Sequence, residues 1–533
     1  MHARLLLSLL LAGSLWSQNV TFDRLLNPDK EPQNWLTYSG NVLGQRHSLL
    51  TQITPENVKN LELQWVWQAR SLEKFETTAL VVDGVLYTIQ APNDVVALDA
   101  ATGRIFWTFP YTPAPEGRNC CGRVNRGLAI LGDTLFMGTL DAHMVAIDAK
   151  SGKLIWDTTV ADAKQGYTIT HAPLIVKDKV IAGTAGGDGR TRGQIVALDA
   201  KTGKEAWRFY TIPAPGEPGN ETWSGDSWKT GGAGIWNTGA YDADTNLTFW
   251  GAGNPAPDWD GTTRLGDNLY GDSVVALDAD TGRLKWHYQF TPHDTMDYDS
   301  TQVPVLADIQ YQGRLRKVML WANRNGLWYV LDRTTGQFLR GAPFVKVNWM
   351  NGFDEKGRPM RVEVKYPKDE GLLLVTPTVQ GGTNWYPPSY SPSTGLFYIP
   401  GWENTKATVL TGNWPTTLGP NPSGGANLQP NLRNEEEGFG IVRAFDPKSG
   451  ERKWEFKMND VTWAGVLTTA SDVLFSGGRE GYFYALNARN GELLWKASLG
   501  GQVNSGPMSY MVNGKQYVAV NAGSSLFVFA LRQ

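Results

Sequence analysis

One eleven-residue unit recurs along this chain and fixes most of what the chain can become. Residues 97–107 read ALDAATGRIFW. An apolar run closes at Ala97 and Leu98. Asp99 brings a side-chain acceptor for a turn, and Gly103 brings a backbone conformation that other residues resist. Trp107 then opens the next extended segment with a large apolar ring. The unit returns as AIDAKSGKLIW at 146–156, ALDAKTGKEAW at 197–207, ALDADTGRLKW at 276–286, AFDPKSGERKW at 444–454 and ALNARNGELLW at 485–495. A degenerate copy at 330–340 keeps the Asp and the Gly but has lost the Trp.

A unit that cannot bury its own face must stack on neighbours, so repeats at roughly 40–50 residues predict a propeller or an array. The copies follow alternating apolar segments that carry their own turns, at Asp83-Gly84, Gly132-Asp133 and Lys177-Asp178. Alternation around a short polar turn is the hairpin signal. Hairpin plus repeat gives about four strands per unit, which is a propeller blade. Unrelated hairpins do not place a Trp at one position six times. The 22 Trp residues suit sheets packed face to face, with large rings filling the gaps.

The expectation is therefore an all-β, eight-bladed propeller with tryptophan-docking repeats over residues 18–533. The wide gap between the 330 and 444 copies holds a weak copy, SYSPSTGLFYIPG at 389–401; taken as an extra blade, it brings the count to eight. Residues 61–68, LELQWVWQ, alternate like a strand and pair with the last strands to close the ring without an edge. The Pro/Gly/Asn-rich run 412–434 reads as a surface loop.

Residues 1–17 have a short positive start, an apolar core and small residues, which predicts a secretory signal and a periplasmic or otherwise exported protein; a retained anchor is the second reading. No other stretch is apolar enough to cross a membrane. The net charge of −3 excludes a basic nucleic-acid footprint. The two cysteines, Cys120 and Cys121, are adjacent. Export permits a disulfide, but a bond between neighbours closes almost no loop and would add little stability; two free thiols are the other reading. No CxxCH is present, so the chain codes no covalent haem site.

Polar insertions interrupt the blades: GRNCCGRVNRG at 117–127, AGTAGGDGRTRG at 182–193, GGAGIWNTGAYD from 231, WGAGNPAPDWDG from 250, TPHDTMDYDS at 291–300, NRNGLWYVLDR at 323–333 and GGTNWYPPSY at 381–390. Loops on a rigid scaffold are where function sits. Together with the repeats and the adjacent cysteines, these motifs resemble the pyrroloquinoline quinone (PQQ)-dependent alcohol dehydrogenases, over essentially the whole mature chain.

The resemblance implies an eight-bladed propeller with PQQ and a metal ion on its axis. It implies a Cys120–Cys121 disulfide over one face of the quinone and Trp236 under the other. Arg126, spaced CC-x4-R, resembles the arginine that binds the PQQ carboxylates. Glu76 in FETTAL, Thr170 in YTITHAP and the Gly186-Gly187 backbone match other cofactor contacts. Arg324 in NRNG resembles the residue near the reactive oxygens, with Asn384 beside it. Structural alternatives remain for single residues: Trp236 as core, Arg324 paired with Asp332, Asn384 capping a turn.

For the metal, Asn254 and Asp297 stand where the family has its Asn and its catalytic Asp. Asp188 stands where the family has Glu, one methylene shorter. Asp299 departs from the calcium-type sequence and resembles the lanthanide-dependent branch, so Ca²⁺ and a lanthanide ion are both implied. The implied reaction has Asp297 as general base, hydride transfer from a primary alcohol to the quinone, and electrons passed to a separate acceptor such as a c-type cytochrome. A quinoprotein acting on a sugar or polyol, and a non-catalytic propeller scaffold, are the competing readings.

Overall fold

The computed structural model describes residues 19–115, 121–362, 372–411, 425–427 and 438–532. Its architecture is a ring of eight blades, each built on four antiparallel strands. The first blade comprises Leu80–Val82, Val85–Gln90, Asp94–Asp99 and Ile105–Phe109. Its inner strands are buried on both faces because neighbouring blades cover them, and they read as short continuous apolar runs. Its outermost strand is half-exposed.

The recurring unit is the joint between blades. Ala97 pairs with Trp107, Ala146 with Trp156, Ala197 with Trp207 and Ala276 with Trp286, each time just before a register shift. The indole then docks on the turn of the following blade. Trp107 Nε1 donates to Ala149 O at 3.2 Å, Trp207 to Ala279 O at 3.1 Å and Trp454 to Ala488 O at 3.0 Å. The repeat glycine has a positive φ, and its missing Cβ makes room for the ring: a Cβ on Gly152 would lie 2.6 Å from Trp107. In the degenerate copy, Arg340 fills the same slot against Gly450.

Leu61–Gln68 pairs antiparallel with Ser525–Leu531, so the first blade strand of the chain closes the ring with the last. The same blade holds Met508–Val512 and Lys515–Ala522. This corrects the route to eight. Ser389–Ser391 and Leu396–Glu403 are not an extra blade; they are the inner strands of the blade completed by Phe439–Phe445 and Arg452–Lys457. The eighth is the closing blade, which lacks the unit because its outer strand comes from the start of the chain. Trp65 of that strand docks on Gly103 as the other tryptophans do on theirs.

The chain before the first blade is bolted to the ring. His47–Ser48 adds a parallel strand to Leu467–Thr469. Arg46, fully buried, donates to Tyr38 O, Thr78 Oγ1 and Gly506 O at 2.6–2.9 Å. Within 412–434, Gly425–Asn427 is a strand paired with Ala407–Thr411, where the sequence suggested only loop; the rest of that run lies outside the described residues. Among the described residues no helix is long and apolar enough to cross a membrane.

Candidate functional site

The insertions between blades bring most of the sequence-derived residues into two polar clusters. The first is built on Glu76, Arg126, Thr170 and Trp236. Glu76 and Arg126 form a buried ion pair at 2.8 Å. Burial pushes the Glu76 carboxyl up, and Arg126 opposes that shift. Arg126 Nη1 also donates to Trp236 O at 3.1 Å and to Thr170 Oγ1 at 3.3 Å. Its guanidinium lies 5.3 Å from the Trp236 ring and 5.1 Å from that of Trp385, a cation–π arrangement that holds the head in place. Arg126 Nε is buried without a hydrogen-bond partner. A fixed guanidinium with a spare donor suits a carboxylate ligand.

Gly186 and Gly187 form a tight turn with Gly186 at φ 111°. A Cβ on Gly187 would stand 3.1 Å from Gly234 N, so the backbone here comes as close as glycine alone allows. Asn384 is engaged within its own turn: Nδ2 donates to Gln380 O at 2.9 Å and Oδ1 accepts from Trp385 N at 2.8 Å. That is the turn-capping role. Cys121 is disulfide-bonded; Cys120 lies outside the described residues.

The second cluster centres on Arg324. Arg324 Nη2 bonds Asp297 Oδ2 at 3.0 Å, Nη1 closes on Asp299 Oδ2, and Nε donates to Val379 O at 2.5 Å. Asp332 pairs with Arg316 instead, so the structural alternative for Arg324 is not realised. Asn254 N donates to Asp299 Oδ1 at 3.0 Å, and Asn254 Nδ2 to Asp258 Oδ1 at 3.0 Å. Asp188 belongs to the same electrostatic group: burial and the Asp299 charge push its carboxyl up to about 6, and Arg324 pulls it down.

Burial likewise pushes Asp297 well above the usual carboxylate range, against the pull of Arg324 and with Asp299 and Asp188 adding to the rise. Burial works against the Arg324 charge, but Asp297, Asp299 and Asp188 hold it above its ordinary value. Asp297 sits at φ 58°, a left-handed conformation uncommon outside glycine. No three Asp, Glu, His or Cys side chains among the described residues converge as a ready-made metal cage.

Sequence reasoning missed three features. Trp385 joins Trp236 around Arg126, although its motif was singled out. Asp294 clasps the loop that carries Asp297. Asp272 is fully buried, and neither carboxylate oxygen has a hydrogen-bond partner. Asp294 was visible as a second acid in TPHDTMDYDS; Asp272 lies in the turn just before the strand Ser273–Asp278, with no local signal.

Comparison with known proteins shows the family. Residues 35–360 match the family model for the PQQ β-propeller domain of glucose, ethanol and alcohol dehydrogenases. Residues 438–531 match the model for the outer membrane protein assembly factor BamB, a stretch made of blade repeats. The chain is 37% identical to the quinoprotein alcohol dehydrogenase PedH of Pseudomonas putida, over 97% of this chain and 90% of that protein. It is 35% identical to the lanthanide-dependent methanol dehydrogenase of Methylacidiphilum fumariolicum, over 98% and 90%. The solved quinohemoprotein alcohol dehydrogenase ADHIIG of Pseudomonas putida HK5 superposes with a TM-score of 0.90 at 36% identity, covering 97% of this chain and 83% of that one. A non-catalytic scaffold does not account for relatives this similar over nearly the whole chain, which belongs to the PQQ-dependent alcohol dehydrogenases.

Proposed function

We propose that this protein is exported through residues 1–17, oxidises primary alcohols to aldehydes with PQQ and one hard cation, and passes the electrons to a separate acceptor, a c-type cytochrome. The observation that carries the reading is that one buried arginine, Arg324, holds both Asp297 and Asp299, with the Asn254 N–H on Asp299 Oδ1.

The residues present suit both groups. Arg126, with its spare buried Nε, would hold a PQQ carboxylate, with Glu76 and Thr170 fixing Arg126 in turn. Trp236 and the Cys120–Cys121 pair would supply the flat surfaces above and below the ring system, and Gly186 and Gly187 the close backbone approach. Arg324 and Asn384 would line the reactive edge. Asp188, Asn254, Asp297 and Asp299 offer hard oxygen donors with an excess of negative charge, which suits Ca²⁺ or a lanthanide ion.

When bound, PQQ supplies the quinone that accepts the hydride, and the cation polarises it. The chain does the rest. Arg324 pulls against the burial that disfavours charge on Asp297, and Asp297 takes the hydroxyl proton of the alcohol as general base. The left-handed backbone at Asp297 fixes where that carboxylate points. The aromatic group of Trp236, Trp385, Tyr386 and Trp463 excludes water.

The test is reconstitution of the purified protein with PQQ plus Ca²⁺ or a lanthanide, read by quinone absorbance and by dye-coupled turnover on a panel of alcohols, sugars and polyols. Quinone binding with turnover of primary alcohols is expected. Bound quinone with turnover of sugars alone would overturn the substrate assignment.

A further inference from the structure

The loop 291–300 carries Asp297 between the strands Leu284–Gln289 and Val305–Tyr311. Within it, Asp294 is fully buried. Its Oδ1 accepts from Met296 N–H at 2.9 Å and its Oδ2 from Tyr298 N–H at 2.7 Å. Those two amides flank Asp297 on either side. Met296 and Tyr298 are themselves buried, so without Asp294 both donors would be stranded away from water. The Asp294 carbonyl accepts in turn from Arg264 Nη2, a guanidinium with no exposure, anchored on Pro257 O at 2.9 Å and Asn268 Oδ1 at 2.8 Å. At the far side, Tyr298 OH is tied to Pro377 O at 2.7 Å.

We infer that Asp294 is the positioning residue for Asp297: its carboxylate, gripping the amides on both sides, forces the left-handed turn that aims Asp297 at Arg324 and the substrate. The inference rests on the general-base reading of Asp297. The physical case is that one carboxylate satisfies two buried donors with charge-assisted bonds, while the residue between them, Asp297, holds φ 58°. A free loop would relax to a negative φ and swing the Asp297 carboxylate away from the Arg324 guanidinium. Asparagine at 294 keeps one acceptor oxygen and sets an N–H group against the other amide, so it releases one side of the grip. Glutamate keeps the charge but moves the oxygens out by a methylene. Displacement of a reacting group by about 1 Å costs on the order of 100-fold in rate.

Hydrogen exchange of the wild-type protein reconstituted with PQQ and metal tests the grip first: the Met296 and Tyr298 amides should be among the slow-exchanging ones, and fast exchange at both would overturn the proposal before any variant is made. In Asp294→Asn and Asp294→Glu, exchange across 291–300 should speed up and kcat per bound quinone should fall about 10- to 100-fold. The alcohol KM and the quinone content should stay near wild type, while the melting temperature should fall by a few degrees because a buried donor loses its partner. Loosened exchange with unchanged kcat would overturn the positioning role, and so would unchanged exchange. Failure of the general-base reading has a different signature: Asp297→Asn would keep turnover, while the exchange behaviour of 291–300 would be unaffected by that result.

Discussion

Arg324 Nη2 stands 3.0 Å from Asp297 Oδ2 with only 7% and 18% of the two side chains exposed. A pair this dry is held by mutual need. Burial alone drives Asp297 towards its neutral form, and the guanidinium is the principal group opposing that drive. If Asp297 is the general base proposed above, its ability to accept a proton depends on the charge beside it.

The first prediction follows from that sign. Arg324→Gln removes the pull and lets the Asp297 pKa rise, so the acidic limb of kcat/KM should move to higher pH by about 1–3 units. Asp297→Asn should retain bound quinone and lose turnover at every pH, since an amide cannot take the substrate proton. An acidic limb that stays in place in Arg324→Gln, with quinone still bound, would remove Arg324 from this role.

The proposed cation site makes Asp299 the residue to test. In the proposed site Asp188, Asp297 and Asp299, which feel one another's charge, would supply three carboxylates, and a cofactor carboxylate would add a fourth. That is more negative charge than Ca²⁺ needs, and the Coulomb term favours a trivalent ion. The short Asp188 side chain works the other way by holding its donor further back. Asp299→Ala should lose lanthanide-supported turnover and keep any calcium-supported turnover. The same behaviour with both metals as wild type would make Asp299 a partner of Arg324 alone.

Much of this was legible in the sequence because the blade joint is local. An Asp, a Gly and a Trp within eleven residues encode the turn, the positive φ and the docking ring together. Where the joint is assembled from distant pieces, the pattern failed. The closing blade takes Trp65 from the start of the chain, so a count of repeats misses it and credits residues 389–401 in its place. The site divides the same way. Arg126, Asp297 and Arg324 stand in motifs, whereas Trp385 meets Arg126 only through the fold, and the Asp272 carboxyl meets the fields of Asp294 and Asp299 only there.

The docking joint can be tested by comparing two glycines. Gly152 and Gly450 have φ of 68° and 81°, so alanine at either position meets a similar backbone penalty, about 1–2 kcal/mol. They differ in what a Cβ would strike. At Gly152 it meets the fused ring of Trp107 at 2.6 Å; at Gly450 it meets the flexible end of Arg340 at 2.5 Å. Gly152→Ala should therefore cost a further ~1–3 kcal/mol of overpacking, while Arg340 swings aside. Denaturant unfolding of the two variants gives the difference directly, and equal losses would mean that the ring is not the constraint.

Asp272 predicts a pH-dependent cost in stability. Its carboxyl is fully buried with neither oxygen hydrogen-bonded. Burial, with Asp294 and Asp299 adding to it, raises its folded pKa well above the ordinary value of 3.8. In the unfolded chain the group ionises as pH rises through that ordinary value; in the folded chain it stays protonated. The unfolded state therefore binds fewer protons, and the group lowers stability progressively as pH rises from about 4 towards its folded pKa. Asp272→Asn removes this penalty. The metal-free protein should gain about 1–3 kcal/mol at pH 7, with a smaller gain at pH 4, where both states of the native carboxyl are largely neutral. Urea unfolding at the two pH values measures both numbers. A variant less stable than wild type at pH 7 would show that Asp272 is ionised and usefully paired in the folded protein.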